Sequence, residues 1–556
     1  MEILNMKNII KFFAVGVATL FMTTSCLEEI TPQSNTVTAD QAANAPGSYD
    51  SFVNAIISNL CGTPQYSGTD RPWDYGYPTF FLMRDVMGND MTIGAGNNWY
   101  QTWYSCGTGL GPAYGNCQVP WTIYYSWIKN CNTVLKLAGD EPDDDKKAGA
   151  GIAYCMRAFF YMDLARMFAQ KPYTADKSAE TVPIITGKEV LDSLSYNPRA
   201  TNEVMWNFIV ADLDKAEQYI AGYQRENVFT PDLSVVYGLK ARAYLQMGEW
   251  AKAQEYAKKA QEGYTVMTDE EYTSRNAGFN TPNGSWMFGC TFKSDDACIK
   301  ENDGDSSWGS WMILEVTASG CGYAADYGAP LYIDRHLYES IPESDFRKKC
   351  YIDFAIDEME SKEDAMVALS NYSDVPEGFL VTAEQGDGVV GGLPVKFRPK
   401  NGEHANQYTA FTVALPLMRV EEMKLIEAEA AGMQNEANGI ALLTEFAKTR
   451  DADYVYGTHT DLYYTNLSQF QREVWWQRRV ELWGEGFATL DIKRFQAGVI
   501  RSYAGSNHAA GYRWNVDHTP DWMNLCIVQT ETNNNHLCTN NPTPLRPTEE
   551  SPEFAW

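Results

Sequence analysis

The feature that most constrains the fold is a helical pattern broken by a single glycine within residues 231–264. On either side of Gly248, small alanines and large aromatic residues recur at spacings of three and four, the period of one face of an α-helix. Close packing of two helices needs small residues opposite bulky ones, so the segment predicts a helical hairpin. The positions concerned are Ala241, Tyr244, Leu245, Trp250, Ala253, Tyr256, Ala257 and Ala260.

Helical periodicity recurs on both sides of this hairpin. Thr201 is a plausible N-cap, because its hydroxyl can accept a hydrogen bond from the first turn of the helix that follows. The segment at 121–138 is expected to be the antiparallel partner of the segment at 147–170. The helical segments are 121–138, 147–170, 201–222, 413–450 and 469–497.

The hairpin resembles a tetratricopeptide unit, and the sequence predicts a mostly α-helical fold with about four such helix pairs as its scaffold. Residues 265–410 have no sustained helical period and predict a large irregular, loop-rich lobe inserted into the scaffold, with a strand-like piece at 389–397. The hairpin favours either a peptide-binding groove or, more simply, structural packing, since one repeat does not form a concave recognition surface. The expected regions are helical at 49–264, irregular at 265–410, and helical with a tail at 411–556.

The composition of the chain argues against several classes of protein. The chain of 556 residues carries 72 acidic and 44 basic side chains, a formal net charge of −28. This balance argues against a nucleic-acid-binding protein, which needs basic residues to neutralise phosphates. It equally disfavours binding to an anionic membrane through a basic face. The body of the chain has no apolar run of about 18 residues, so a polytopic membrane protein is excluded.

The N-terminus predicts export and lipidation. Lys7 and Lys11 precede an apolar stretch of about 11 residues, Phe12–Met22, which has the length of a signal-peptide core and is too short to span a bilayer. The stretch ends in Thr-Thr-Ser-Cys, which resembles a bacterial lipobox although Thr23 stands where Leu is usual. We expect a signal peptide at 1–25 and lipidation of Cys26; the alternative is an ordinary cleaved signal.

A polar stretch follows the expected lipidation site. Residues 26–48 have no hydrophobic period and predict a flexible tether. Of the 12 cysteines, Cys26 is assigned to lipid, which leaves an odd number for pairing. The spacings Cys106/Cys117 and Cys290/Cys298 permit local disulfides, but no cysteine–histidine pattern has the spacing of a zinc site.

Three further motifs are similar to those of the RagB/SusD family of outer-membrane nutrient-binding lipoproteins. They are AYCMRAFFYMDLARMF at 153–168, LPLMRVEEMKLIEAEA at 415–430 and WQRRVELWGEGFATLDIKRF at 476–495. Together with the lipobox and the hairpin, the resemblance covers nearly the whole chain. Gln477, Phe487 and Thr489 depart from the family pattern. The resemblance implies a lipid-anchored protein on the outer-membrane surface, partnered by a SusC-like TonB-dependent transporter.

Charged residues within the third motif raise the question of catalysis. Opposite charges at helical spacings can form an active site, but they more commonly join packed helices through ion pairs. With no HExxH, GxSxG or P-loop pattern in the sequence, we expect no enzyme activity, no cofactor and no metal site. The residues are Arg478, Arg479, Glu481, Glu485, Asp491 and Arg494.

Aromatic residues carry the predicted binding chemistry. The apolar C–H faces of sugar rings stack on indole and phenol rings, while their hydroxyls pair with amides and carboxylates. Two aromatic-rich stretches without helical period, 73–104 and 286–332, fit this chemistry, although their rings could instead pack loops onto the helices. The predicted ligand-binding residues are Trp308 and Trp311 as an exposed platform, with Trp99, Tyr323, Trp73, Trp286, Tyr100 and Asn98.

The leading hypothesis is therefore a non-catalytic cell-surface lipoprotein that binds oligosaccharides and delivers them to a TonB-dependent transporter. The alternatives are a surface lipoprotein of the same family that binds peptides, and a surface enzyme that degrades glycans.

Overall fold

The structure is a computed structural model that describes residues 47–66, 71–94, 98–300, 307–317, 322–459 and 466–556. Residues Phe52–Trp556 form one compact unit. The expected signal peptide, Cys26 and most of the tether lie outside the described residues. The boundaries expected at 264 and 410 stay a prediction.

Helices dominate the described chain. They are α1 (Ser48–Ser58), α2 (Pro78–Val86), α3 (Gln101–Ser105), α4 (Gly115–Ala138), α5 (Asp144–Phe168), α6 (Leu191–Leu194), α7 (Asn202–Ile220), α8 (Leu233–Met247), α9 (Trp250–Ala260), α10 (Asp269–Thr273), α11 (Ala297–Lys300), α12 (Trp308–Met312), α13 (Arg335–Glu339), α14 (Lys362–Leu369), α15 (Pro376–Gln385), α16 (Gln407–Ala410), α17 (Val420–Gln434), α18 (Glu436–Ala447), α19 (Gln469–Glu481), α20 (Ala488–Phe495) and α21 (Gln529–Asn534).

Short strands form three two-stranded antiparallel sheets: β1 (Met91–Ile93) with β3 (Leu331–Ile333), β2 (Trp286–Thr291) with β4 (Ala414–Arg419), and β5 (Val499–Ile500) with β6 (Asn515–Val516). The helix expected from 413 therefore begins only at Val420, because the residues before it pair with β2. The strand-like piece at 389–397 contributes one isolated bridge, between Tyr351 and Pro394.

The scaffold consists of helices α4, α5, α7, α8, α9, α17, α18 and α19, each packed against the next in chain order. This arrangement confirms the mostly helical fold with about four helix pairs. Thr201 caps α7 as expected, since its side chain accepts a hydrogen bond from the Val204 N–H at 3.3 Å. Gly248 ends α8 with φ +70°, a conformation that glycine adopts without steric cost.

The hairpin α8/α9 is confirmed, and neighbouring helices occupy its small-residue face. Ala253, Ala257 and Ala260 are fully buried, and α9 packs on both α8 and α17. The rings of Tyr244 and Tyr256 stack at 5.6 Å between centroids. Because the face that a peptide would need is already covered, the hairpin favours structural packing over a peptide groove.

A buried centre of charge joins the helices to the inserted lobe. Glu481 accepts hydrogen bonds from Arg419 at 2.7 Å and from Arg347 and Arg450 at 3.0 Å each, and its side chain has no exposed surface. Arg347 comes from the lobe, whereas Arg419 lies at the junction of β4 and α17. A carboxylate surrounded by three guanidinium groups ties together segments that are distant in sequence.

The inserted lobe has a core of its own. Ile352, Leu369, Phe379 and Leu393 are buried together in one apolar cluster. From the edge of this cluster, Lys396 reaches into the charged centre and donates to the Glu485 carboxylate at 2.8 Å. The lobe is thus attached to the scaffold by ionic contacts in addition to apolar ones.

Candidate functional site

The two tryptophans expected to form an exposed platform are buried. Trp308 and Trp311 lie on the short helix α12 with 0% and 1% of their surface exposed. The edge of Trp308 packs against Phe397, with 4.7 Å between ring centroids, and the Trp311 indole N–H donates to the Pro72 carbonyl at 2.7 Å. The expectation of an accessible stacking surface at these residues is therefore wrong, because α12 and the lobe supply the neighbours that the sequence did not reveal.

Three more of the predicted ligand residues are also buried. Trp286 lies in β2, and Tyr100 precedes α3 with no exposed surface. The Asn98 amide donates to the Ala329 carbonyl at 2.9 Å, which holds the two aromatic-rich stretches together. These three buried residues can support a binding surface, but they are not themselves accessible to a ligand.

The remaining predicted residues reach solvent. Trp99 is 50% exposed, while Tyr323 and Trp73 are partly buried. Tyr327, which is 55% exposed, stacks on Tyr323 with 5.4 Å between ring centroids. We call Trp99, Tyr323 and Tyr327 the aromatic face: the two tyrosines stack on each other, and Trp99 follows Asn98, whose amide bonds to Ala329 two residues after Tyr327. Tyr327 belongs to the aromatic-rich stretch at 286–332 that the sequence indicates, but it is not one of the predicted ligand-binding residues.

Tyr323 and Tyr327 of the aromatic face rest on a continuous set of buried rings. Tyr323 stacks on Trp311 with 4.6 Å between centroids and 6° between planes, and Trp311 meets the edge of Tyr100 at 5.5 Å. Tyr100 contacts Trp103, which in turn contacts Trp73 at 6.1 Å. Rings fixed in this way lose little conformational freedom on binding, so the exposed Tyr327 is preorganised for a flat ligand.

Polar residues at the end of α15 border the aromatic face. Gly328, in the same loop as Tyr327, has φ +57°, and a Cβ there would lie 2.4 Å from the backbone nitrogen of Gly386. Only glycine permits this approach, which brings the exposed Gln385 and Asp387 beside the loop. Asp387 accepts a hydrogen bond from the Tyr332 hydroxyl at 2.7 Å. Amide and carboxylate groups next to stacked rings are suited to sugar hydroxyls.

The charged residues of the third motif are held in buried ion pairs. Arg478 pairs with Asp491 at 2.7 Å, and Arg479 pairs with Asp90 at 2.6 Å. Arg494 contacts both Glu429 and Asp491. Burial alone would raise the pKa of Glu481, but its arginine neighbours hold that pKa well below the usual range.

Two departures from the family pattern are part of this charged region. The Gln477 amide oxygen accepts from Arg347 at 3.0 Å, so a neutral residue still serves the network. The Phe487 ring lies under the guanidinium groups of Arg242 and Arg478, 5.4 and 5.6 Å from its centroid. The charged groups named here pair with one another or lie against the Phe487 ring, so this region contributes to packing.

Within the described residues, no helix is both long and apolar enough to cross a membrane. The same part of the chain has no group of three or more His, Cys, Asp or Glu side chains arranged to hold a metal ion.

Comparison with known proteins agrees with the motifs and the fold. A SusD-like family model, described as "Starch-binding associating with outer membrane", matches residues 76–245. The chain is similar to SusD-like protein P2 of Formosa agariphila, with 31% identity over 150 residues. That match spans 27% of this chain and only 28% of the length of the relative.

Solved structures share the fold over most of the chain. A SusD-like carbohydrate binding protein from Bacteroides vulgatus aligns with a TM-score of 0.66 at 22% identity, covering 88% of this chain and 97% of that one. The surface glycan-binding protein A from Bacteroides thetaiotaomicron, solved in complex with laminarihexaose, aligns with a TM-score of 0.60 at 17% identity, covering 89% and 98%. The resemblance expected from the sequence motifs is confirmed.

Proposed function

We propose that this chain, which is SusD-like in its family match and its fold, captures oligosaccharides on the aromatic face. The observation that carries the proposal is the exposure of Tyr327, which stacks on Tyr323 above buried rings, together with the exposure of Trp99 in the neighbouring aromatic-rich stretch. Stacking a sugar on these rings removes apolar area from water, and each ring is expected to contribute about 1–3 kcal/mol to binding.

The negative charge of the protein favours neutral glycans over anionic ones. With a net charge of −28, the chain repels polyanionic ligands at long range, whereas neutral oligosaccharides are unaffected. Gln385 and Asp387 at the border of the aromatic face offer acceptors for the hydroxyls of such a neutral ligand. Laminarihexaose, the ligand in the solved Bacteroides thetaiotaomicron complex, is a suitable first probe.

The proposal extends to location and partner. We propose that diacylated Cys26 anchors the chain at the outer-membrane surface, where it passes oligosaccharide to a SusC-like TonB-dependent transporter. Cys26→Ala is expected to release the protein from the membrane fraction, because two acyl chains anchor firmly where one is marginal. Fractionation that finds the variant bound as firmly as wild type would contradict lipidation at this residue.

We also propose that the chain is not an enzyme. The charged residues that could suggest catalysis are occupied in buried ion pairs, for example Arg478 with Asp491 and Arg419 with Glu485. A glycosidase would need two accessible carboxyl groups on either side of the scissile bond.

The test is a screen of neutral and anionic oligosaccharides against the purified protein, followed by calorimetry and by an assay for new reducing ends. Binding of a neutral oligosaccharide without new reducing ends supports the proposal. Cleavage of the bound oligosaccharide would favour the enzyme alternative. Binding of peptides but of no glycan would favour the peptide-binding alternative.

A further inference from the structure

The scaffold contains a cleft, and none of its described lining residues belongs to the aromatic face. It lies beside the turn of the α8/α9 hairpin, where Leu245 and Trp250 flank Gly248, and it is bordered by α17, α19 and α20. Its volume is about 510 Å³, and sites for small molecules commonly have about 300–1,000 Å³, so one short ligand fits. We call it the scaffold cleft and define it by Trp250, Asn466, Gln471, Arg494, Phe495 and Gln496.

The lining of the scaffold cleft combines aromatic rings with neutral amides. The Trp250 indole is partly buried, and the Phe495 ring is buried. Of the amides, Gln471 is partly buried, whereas Asn466 and Gln496 are exposed to solvent. Rings next to amides offer apolar area and hydrogen-bonding groups side by side, which is what the C–H faces and the hydroxyls of a sugar require.

The charges of the scaffold cleft are already compensated. Among its described lining residues the charged ones are Arg494 and Glu429, and these two pair with each other. Arg494 also pairs with Asp491 at 3.1 Å. A charge held against its own partner gives little attraction to a second ion, so the lining favours a neutral ligand over an ionic one.

Gln496 holds a strained backbone conformation in the scaffold cleft. It ends α20 with φ +52°, in the left-handed region that glycine adopts without steric cost and other residues rarely enter. The Asn466 amide donates to the carbonyls of Phe495 at 3.1 Å and Gln496 at 3.3 Å, which secures this helix end. Strain of this kind clusters at ligand sites, where it positions a side chain that contacts the ligand. Glycine would end the helix with less strain, so what the glutamine adds to the cleft is its exposed amide.

From this geometry we propose that the scaffold cleft is a second saccharide site, which takes one short neutral saccharide. The Trp250 indole stacks on the C–H face of a sugar ring, and the amides of Gln471 and Gln496 hydrogen-bond to its hydroxyls. The ligand class follows from the lining of the cleft itself and does not require that the aromatic face binds a glycan. A chain with both sites holds two saccharides at once.

The test removes the aromatic face first, so that the scaffold cleft is measured alone. The double variant Trp99→Ala/Tyr327→Ala of the full chain is titrated with neutral mono- and disaccharides of glucose, galactose and mannose, by calorimetry and by saturation-transfer difference NMR. We expect at least one of these sugars to bind the double variant at a single site. Adding Trp250→Ala should weaken that binding about tenfold or more, because the stacking ring is lost.

Gln496→Gly, added to the same double variant, distinguishes a ligand residue from a structural one. Glycine relieves the left-handed strain, so the melting temperature should stay equal or rise, while saccharide binding should weaken about fivefold through the lost amide. Asn401→Gly is the matched control, because Asn401 is another non-glycine residue in this conformation, with φ +56°, and is not among the described residues that line the cleft. The control should also keep or raise the melting temperature, and it should leave saccharide binding unchanged.

Absence of saccharide binding in the double variant, or unchanged binding after Gln496→Gly, would overturn the proposal of a second site. Either result leaves the proposed function standing if the wild-type chain binds oligosaccharide more tightly than the double variant does. Equal oligosaccharide binding by the wild type and the double variant, with a loss after Gln496→Gly, would instead contradict the proposed function and leave the scaffold cleft standing.

Discussion

The charged centre around Glu481 and the aromatic face differ in how many large side chains they gather and in how much of them reaches solvent. At the charged centre, the side chains of Glu481, Arg419 and Arg450 have at most 1% of their surface exposed and satisfy one another. At the aromatic face, Trp99 and Tyr327 keep half of their surface in water. The difference shows that in this molecule the richest cluster of chemical groups is structural, whereas the sparse exposed one is available for binding.

The comparison also separates stability from affinity. Removing one member of a buried ionic network leaves its partners charged and desolvated, which is costly to folding. Removing an exposed ring leaves the folded protein nearly unchanged, because little of that ring is part of the core. Variants at the charged centre should therefore lose stability, whereas variants at the aromatic face should lose affinity for oligosaccharide and keep their stability.

The largest effect is expected at the charged centre. Glu481→Ala leaves Arg347, Arg419 and Arg450 without their shared carboxylate and should lower the free energy of unfolding by about 3–5 kcal/mol. Chemical denaturation measures this loss. As a control, Glu255→Gln, which removes an exposed pair with Lys259, should not measurably change stability. If Glu481→Ala were as stable as wild type, the charged centre would not hold the lobe to the scaffold.

A variant at Trp308 tests whether a buried tryptophan near the aromatic face contributes to stability or to ligand binding. This residue is fully buried against Phe397, so Trp308→Ala should cost about 3–5 kcal/mol of stability through the cavity it leaves. The affinity of the fraction that remains folded should be unchanged. A variant that keeps its wild-type melting temperature but loses oligosaccharide would restore Trp308 as a ligand residue.

A pH-dependent effect is expected at Asp85. Burial raises the pKa of this carboxyl to about 7, although the backbone N–H groups of Gly486 and Ala488 donate to it. A folded-state pKa above the unfolded value means that the contribution of Asp85 is full below its ordinary pKa and is lost as the pH rises towards 7. Three pKa units at about 1.4 kcal/mol each correspond to about 4 kcal/mol, so relative to wild type the stability of Asp85→Asn should rise by roughly that amount between pH 4 and 8. Thermal melts across this range measure the gain, and a constant difference would contradict the shift.

The helices of the scaffold could be predicted from the sequence because their signals lie within short stretches of the chain. Alanine and aromatic spacing defined α8 and α9, Gly248 marked their turn, and Thr201 marked the start of α7. The segment Ala414–Arg419 was misassigned to a helix because its partner strand, Trp286–Thr291, lies more than a hundred residues earlier in the chain.

For the candidate site, the sequence predicted the types of residue involved but not which of the aromatic rings are exposed. The two aromatic-rich stretches do meet, but the exposure of each ring depends on contacts between segments that are distant in sequence. Trp311 is covered because Pro72 and Tyr323 lie against it, whereas Trp99 is half exposed although its neighbour Asn98 is buried. No local pattern distinguishes these two tryptophans.

The central claim is that the exposed rings of the aromatic face bind an oligosaccharide independently of the scaffold. The most direct test is calorimetry of Trp99→Ala and Tyr327→Ala with the neutral oligosaccharide selected by the screen, beside thermal melts. Tyr196→Ala is the matched control, because Tyr196 is 59% exposed and lies outside the face. We predict about tenfold to a hundredfold weaker binding for each of the two variants, unchanged melting temperatures, and wild-type binding by the control. Wild-type affinity in both Trp99→Ala and Tyr327→Ala would contradict the account.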